Sequence, residues 1–277
     1  VDIKSPIDVL IPGGGISMIT GATGVGKSAF LSTMIARLLA LKTIFGFTPA
    51  PTLPFIGLVI TDRRWSTARR WLDRAGVEES DRFRAYCLLD DPTFDWKEAR
   101  KESSHAELFS NAIDVLAPPP QSLLFFDPIA LYLGRRLGDY SETAAAIGQL
   151  NAVCVRKRIT VIGTSHVKKA SRDEKESYLR PQDRALGSTA IPSYTNTQIY
   201  IVGPEETKKV HYLIGYVSHD LPPAEFTFTR GTEGLFVPMS QEEVERIEAE
   251  KAIEADTDEV FNAIPGPEES PMPAKRI

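Results

Sequence analysis

The chain has 277 residues, 42% of them hydrophobic and 25% charged, and its formal net charge is -5. This is globular composition with enough apolar material for a sizeable core, in one large domain or two small ones, and it excludes a molecule coated in basic surface. Any nucleic-acid contact must therefore come from local clusters, and no apolar stretch is long enough for a membrane span.

The first predicted strand covers residues 16 to 20, and a helical pattern follows over 27 to 41. Further strands are predicted at 56 to 61 and 83 to 88, with helices at 66 to 75, ending in Gly76, and at 104 to 116, before Pro118-Pro119-Pro120. The run Ser122-Leu123-Leu124-Phe125-Phe126-Asp127, a helix from about Glu142 to Arg156 and the strand Ile159–Thr164 form another βαβ step. Alternation of this kind predicts an α/β fold with a mostly parallel sheet and covering helices. Residues 167 to 187 are charged and poor in apolar side chains, which predicts a loop. After it the pattern turns β-rich at 197 to 202, 209 to 217, 224 to 229 and 235 to 237, which predicts antiparallel strands added toward the C-terminus. Residues 1–240 are thus expected to form one domain. Residues 241–277 are expected to hold an acidic helix, from Gln241 to Ala255, and a disordered tail rich in Pro and Glu. The two cysteines, Cys87 and Cys154, lie in apolar runs without metal-site spacing and read as buried thiols in a reducing compartment. The segment Val1-Asp2-Ile3-Lys4 lacks a signal-peptide profile, so a soluble cytoplasmic protein is expected.

Between the first strand and its helix stands Gly21-Ala22-Thr23-Gly24-Val25-Gly26-Lys27-Ser28, followed by Ala29. It fills every fixed position of the phosphate-loop pattern G-x-x-x-x-G-K-[ST]. The glycines permit a tight loop whose backbone N–H groups face phosphate oxygens, Lys27 reaches the β- and γ-phosphates, and the Ser28 hydroxyl can ligate Mg²⁺. A nucleotide hydrolase also needs a carboxylate at a neighbouring strand end to hold the metal through water, and Asp127 closes an apolar strand in that way. Asp62 ends another strand and is the candidate base or orienter for the attacking water; the competing reading is a surface ion pair with Arg63 or Arg64. His166 follows the strand ending Thr164-Ser165, at the edge where open α/β sheets bind ligands, and is either a sensor of the γ-phosphate or a structural histidine.

The ordered set of phosphate loop, Asp62 with Ser66-Thr67-Ala68-Arg69-Arg70-Trp71-Leu72 behind it, Leu124-Phe125-Phe126-Asp127, and Ser165-His166 resembles the RecA-like P-loop ATPases. Within them it looks most like plasmid RepA-type and DnaB-type hexameric replicative helicases, over about residues 12 to 238, with Ala185-Leu186-Gly187-Ser188-Thr189-Ala190 beyond the charged loop. The resemblance implies a RecA-like core, ATP and Mg²⁺ as cofactors, and a ring homo-oligomer, a hexamer in that family, with ATP at subunit interfaces and single-stranded DNA passing through its centre. Lys27 and Ser28 then bind phosphate and metal, Asp127 is the Walker B residue, Asp62 stands for the catalytic glutamate and His166 for the polar sensor. Two departures matter. Asp62 is one methylene shorter than glutamate, and the strand end Gly215-Tyr216-Val217-Ser218-His219-Asp220 lacks the arginine finger of DnaB-type proteins, leaving Arg230 as a conceivable substitute.

Candidate DNA contacts are Arg135 and Arg136 after Asp127, and Lys168, Lys169, Arg172, Lys175, Arg180 and Arg184 after His166, with Tyr140 and Tyr178 available for stacking. The acidic residues Asp173, Glu174 and Glu176 dilute the second cluster, so solvated surface charge is the competing reading. The leading expectation is an ATP-dependent helicase or translocase acting in DNA replication. A slow-turnover switch or assembly ATPase that recruits partners is the alternative, and a monomeric small-molecule kinase is a weaker third.

Overall fold

A computed structural model describes residues 3–93, 104–133, 139–166, 190–204, 211–250 and 253. The chain divides into two units, Val1–Pro238 and Met239–Ile277. In the second, residues 241–250 are helical, and Ser240 opens the helix with a reciprocal cap: its Oγ accepts from the Glu243 N–H while Glu243 Oε2 accepts from the Ser240 N–H.

The first unit is built on one nine-stranded sheet. Its strands are β1 (Ile16–Gly21), β2 (Ile56–Ile60), β3 (Phe83–Cys87), β4 (Leu123–Asp127), β5 (Thr160–His166), β6 (Thr197–Val202), β7 (Tyr212–Ser218), β8 (Ala224–Arg230) and β9 (Phe236–Pro238). They lie in the order β3-β2-β4-β5-β1-β6-β7-β8-β9. Pairing is parallel from β3 through β6 and antiparallel from β6 to β9, as the change in sequence pattern predicts. The helices are α1 (Lys27–Leu39), α2 (Trp65–Arg74), α3 (His105–Leu116), α4 (Tyr140–Lys157) and the short α5 (Ala190–Tyr194).

Strand β2 and the first four residues of β4 read as unbroken apolar runs because both faces of the sheet are covered there. In β4, Leu123 and Phe125 join the core that contains α1 and α2, whereas Leu124 and Phe126 join the core that contains α3 and α4. The period-2 alternation of a strand thus divides one apolar run between two cores. Helix α1 meets the first core with Phe30, Leu31, Met34, Ile35 and Leu38, and α4 meets the second with Ile147, Leu150, Val153 and Cys154. Caps fix the helix starts on that second face. Ser104 and Glu107 cap each other's backbone at α3, and Asp139 accepts from the Glu142 N–H at α4. Both cysteines are buried.

Strand order decides where the chemistry lies. Strand β5 is inserted between β1 and β4, in a register that pairs Gly21 with His166 and Phe126 with Gly163. Strand β2 flanks β4, with Ile60 opposite Asp127. The carboxyl ends of four neighbouring parallel strands therefore present the phosphate loop, His166, Asp127 and Asp62 along one edge, the edge at which open α/β sheets bind ligands.

Candidate functional site

Gly26 precedes α1 with φ +101°, and Gly24 has φ +84°, both in the left-handed region that glycine enters without strain. No side chain among the described residues caps α1 at this end. An uncapped helix start directs backbone N–H groups and the positive end of the helix dipole outward, an arrangement suited to phosphate.

Lys27 is buried, and its ammonium donates to the carbonyls of Gly21 (2.7 Å) and Ala22 (2.9 Å). It also lies 3.0 Å from His166 Nδ1, while Thr23 Oγ1 lies 3.3 Å from the same nitrogen. An ammonium can only donate, so Nδ1 is the acceptor and the imidazole proton sits on Nε2. Burial pushes the His166 pKa below the ordinary histidine value, and the Lys27 charge pushes it the same way against the opposing pull of Asp62 and Asp127. His166 is consequently a neutral imidazole at pH 7.

Asp127 is nearly buried, and its two oxygens have different partners. Oδ2 accepts from Ser28 Oγ at 2.7 Å and Oδ1 accepts from Thr164 Oγ1. Backbone bonds align the strand ends around it: Thr61 N–H donates to the Asp127 carbonyl, Ile129 N–H to the Thr164 carbonyl, and Thr61 Oγ1 to the Pro128 carbonyl. Ser28 and Asp127 form an all-oxygen pair at the mouth of the loop. Such a pair fits a hard divalent cation of the magnesium type, which takes one or two protein oxygens and completes its shell with phosphate and water. Among the described residues no cluster of three or more His, Cys, Asp or Glu side chains could form an all-protein metal cage.

Asp62 stands just past β2 with its side chain 37% exposed, and it is tied to Arg63, whose Nε donates to Oδ1 at 2.8 Å. The ion pair weighed against a catalytic role is therefore present, and it belongs to the same site. Arg63 Nη1 donates to Ser28 Oγ at 2.8 Å, and Nη2 lies 3.6 Å from Asp127 Oδ2. Burial opposes the Arg63 charge, but the Asp62 hydrogen bond and the charges of Asp127 and Asp62 outweigh it and raise the guanidinium pKa.

Of the residues expected from sequence, Lys27, Ser28, Asp62, Asp127 and His166 are brought together on one edge. Arg230 turns toward its own loop: Nη2 donates to the Val25 carbonyl at 2.8 Å and Nη1 to the Gly234 carbonyl at 2.6 Å, with the guanidinium over the rings of Phe236 and Tyr212. Its fork is engaged within the chain that carries it, which is not the geometry of a finger extended to a neighbour. Arg135, Arg136, Lys168, Lys169, Arg172, Lys175, Tyr178, Arg180, Arg184 and the stretch 185–189 lie outside the described residues, as do 254–277 of the expected tail. Tyr140 is half-exposed at the start of α4 and packs edge-to-face with Tyr194.

Arg63 and Thr164 are the site residues that sequence reasoning did not single out for the chemistry. Thr164 had a usable signal. It is a hydroxyl two residues before His166 on the strand inserted next to Asp127, but only the strand order reveals that neighbour.

No helix among the described residues is long and apolar enough to cross a membrane. No curated protein matches the chain. The model of the AAA domain family matches residues 3–172, a span that contains the phosphate loop, Asp62, Asp127 and His166. On that match, and with the parallel sheet and phosphate loop just described, the chain belongs to the AAA domain family and has a P-loop ATPase core.

Proposed function

We propose that this chain hydrolyses ATP and couples hydrolysis to movement on single-stranded DNA, as a ring oligomer of the RepA or DnaB type working in DNA replication. The observation that carries the ATPase part is the convergence of Lys27, Ser28, Asp127, Asp62 and His166 on the carboxyl edge of four adjacent strands. Lys27 and the amides at the start of α1 hold the β- and γ-phosphates. Ser28 and Asp127 hold Mg²⁺, which when bound neutralises phosphate charge. Asp62 accepts the proton of the water that attacks the γ-phosphorus, and ADP is the leaving group. Thr164 fixes the orientation of Asp127, and His166 keeps Nδ1 on Lys27. The DNA part is supported by the resemblance in motif order and by the basic residues in the segments after Asp127 and His166.

A second reading, the slow-turnover switch that assembles and recruits partners, is favoured by two specific observations. Arg63 engages the Asp62 carboxylate, and Arg230 is bound to its own loop. An arginine finger is worth about 10³–10⁵ in kcat in phosphoryl transfer, so a site without one turns over slowly.

The test is the ATPase rate of purified protein with and without single-stranded DNA, read beside its oligomeric state with a nonhydrolysable ATP analogue. DNA-stimulated multiple turnover by a ring is the expected outcome. Nucleotide binding without DNA stimulation or unwinding overturns the translocase in favour of the switch. In either case Lys27→Ala is expected to lower hydrolysis at least ~100-fold, because it removes a charge aimed at the transferring phosphoryl group; normal hydrolysis by that variant would place the site elsewhere.

A further inference from the structure

The side chain of Arg63 touches all three oxygen-bearing groups on which metal binding and water activation depend. Nη1 donates to Ser28 Oγ at 2.8 Å, Nη2 lies 3.6 Å from Asp127 Oδ2, and Nε and Nη2 form a two-point contact with the Asp62 carboxylate at 2.8 and 3.4 Å. Ser28 Oγ itself donates to Asp127 Oδ2. A planar monovalent cation therefore engages the same hydroxyl and carboxylate that a hard divalent cation would use. Ser28 Oγ keeps a second lone pair, so the conflict is one of charge and space: two cations crowded onto one hydroxyl and one carboxylate repel each other.

The local backbone suits this arrangement. Arg63 lies between β2 and α2, where Cys87 Sγ donates to its carbonyl and Asp90 accepts the Trp65 N–H. These contacts fix the 63–65 backbone, so the long side chain can turn without moving the strand end. The Arg63 side chain is 26% exposed, which leaves it a route to solvent.

We propose that Arg63 is a built-in competitor of magnesium: it holds Ser28, Asp127 and Asp62 together, and arrival of the metal with nucleotide displaces it and releases Asp62. This rests on reading the site as an ATP site, and it adds an order of events. The candidate water-activating carboxylate is withheld by the guanidinium until metal and nucleotide are both in place. Hydrolysis is thereby linked to a complete site, because one arginine occupies both the Asp62 and the Asp127 carboxylate at all other times.

The test is equilibrium binding of a fluorescent nonhydrolysable ATP analogue to chelator-treated protein, titrated with Mg²⁺, for wild type, Arg63→Ala and Arg63→Lys. Removing charged hydrogen bonds of this kind predicts that Arg63→Ala lowers the Mg²⁺ concentration at half-saturation at least about tenfold. Arg63→Lys falls between it and wild type, since lysine keeps the charge but cannot span Ser28 and Asp62 together. A half-saturation point unmoved in both variants overturns the proposal, even where nucleotide binds more weakly at every Mg²⁺ concentration, because Arg63 is then a phosphate ligand only. No nucleotide binding by wild type, with or without Mg²⁺, overturns the ATP-site reading and this proposal with it. Binding by wild type with no shift in the variants overturns the competitor alone.

Discussion

His166 offers Nδ1 to the Lys27 ammonium at 3.0 Å, and that hydrogen bond exists only while the imidazole is neutral. Burial and the Lys27 charge depress its pKa in the folded chain below the ordinary value, about 6.5, which the unfolded chain retains. Below that value the unfolded state therefore binds more protons than the native one. The contribution of His166 to stability is present above about pH 6.5 and is lost as the pH falls through the folded pKa. Urea titrations at stepped pH should show wild-type stability declining over that acidic window, and His166→Asn, whose amide does not titrate, should show a shallower decline. Equal slopes would mean that neither burial nor Lys27 holds the imidazole neutral. The same protonation removes the acceptor from Lys27, so nucleotide affinity is expected to change over the same window and to lose that feature in the variant.

At the scale of elements, the antiparallel strands reach back to brace the phosphate loop. Arg230, at the end of β8, donates to the Val25 carbonyl from 205 residues away, donates to the Gly234 carbonyl in the turn before β9, and stacks 3.8 Å from the Phe236 ring centroid. Gly26 is required here for its left-handed φ, and a Cβ on it, 1.6 Å from Arg230 Nη2, would push the guanidinium out of this position. Arg230→Ala removes two carbonyl partners and a cation–π contact and should cost about 1–3 kcal/mol. A thermal or urea melt measures this, and Arg230→Lys should recover little of it, because lysine has no fork to bridge two carbonyls. Full recovery by lysine would reduce the brace to a simple charge effect. No sequence window contains this contact, and that marks the limit of reading the chain as text. The strands and helices around the site were legible because apolar runs and glycine or proline stops are local signals. The carboxylates and histidine were legible because each stands at the end of such a run. Strand order was not: nothing in residues 160–166 states that β5 enters between β1 and β4 and so brings Thr164 to Asp127. Arg63 was visible only as a charge beside Asp62, because its reach to Ser28 depends on β2 and α1 meeting in space.

Under the proposed function, a whole molecule of net charge -5 must hold a polyanion through local clusters of basic residues. The segments that carry the candidate contacts begin after Leu133 and after His166, beyond the ends of β4 and β5, which are adjacent parallel strands. On that reading, nucleotide-contacting groups at these strand ends are joined to the candidate contacts by only a few residues of chain. Under the proposed function, neutralising Arg135, Arg136, Lys168 and Lys169 to glutamine should weaken single-stranded DNA binding at low salt. It should also flatten the plot of log affinity against log salt, by about 0.7 for each phosphate contact removed. Nucleotide binding should persist, because Lys27 and Ser28 are untouched. Fluorescence anisotropy of a labelled oligonucleotide across a salt series, with nucleotide affinity measured on the same preparations, separates the outcomes. A parallel loss of both activities would indicate damage to the fold. An unchanged salt slope with unchanged DNA affinity would move the nucleic-acid surface away from this edge and strengthen the switch reading, in which assembly and partner recruitment, and not translocation, follow from ATP.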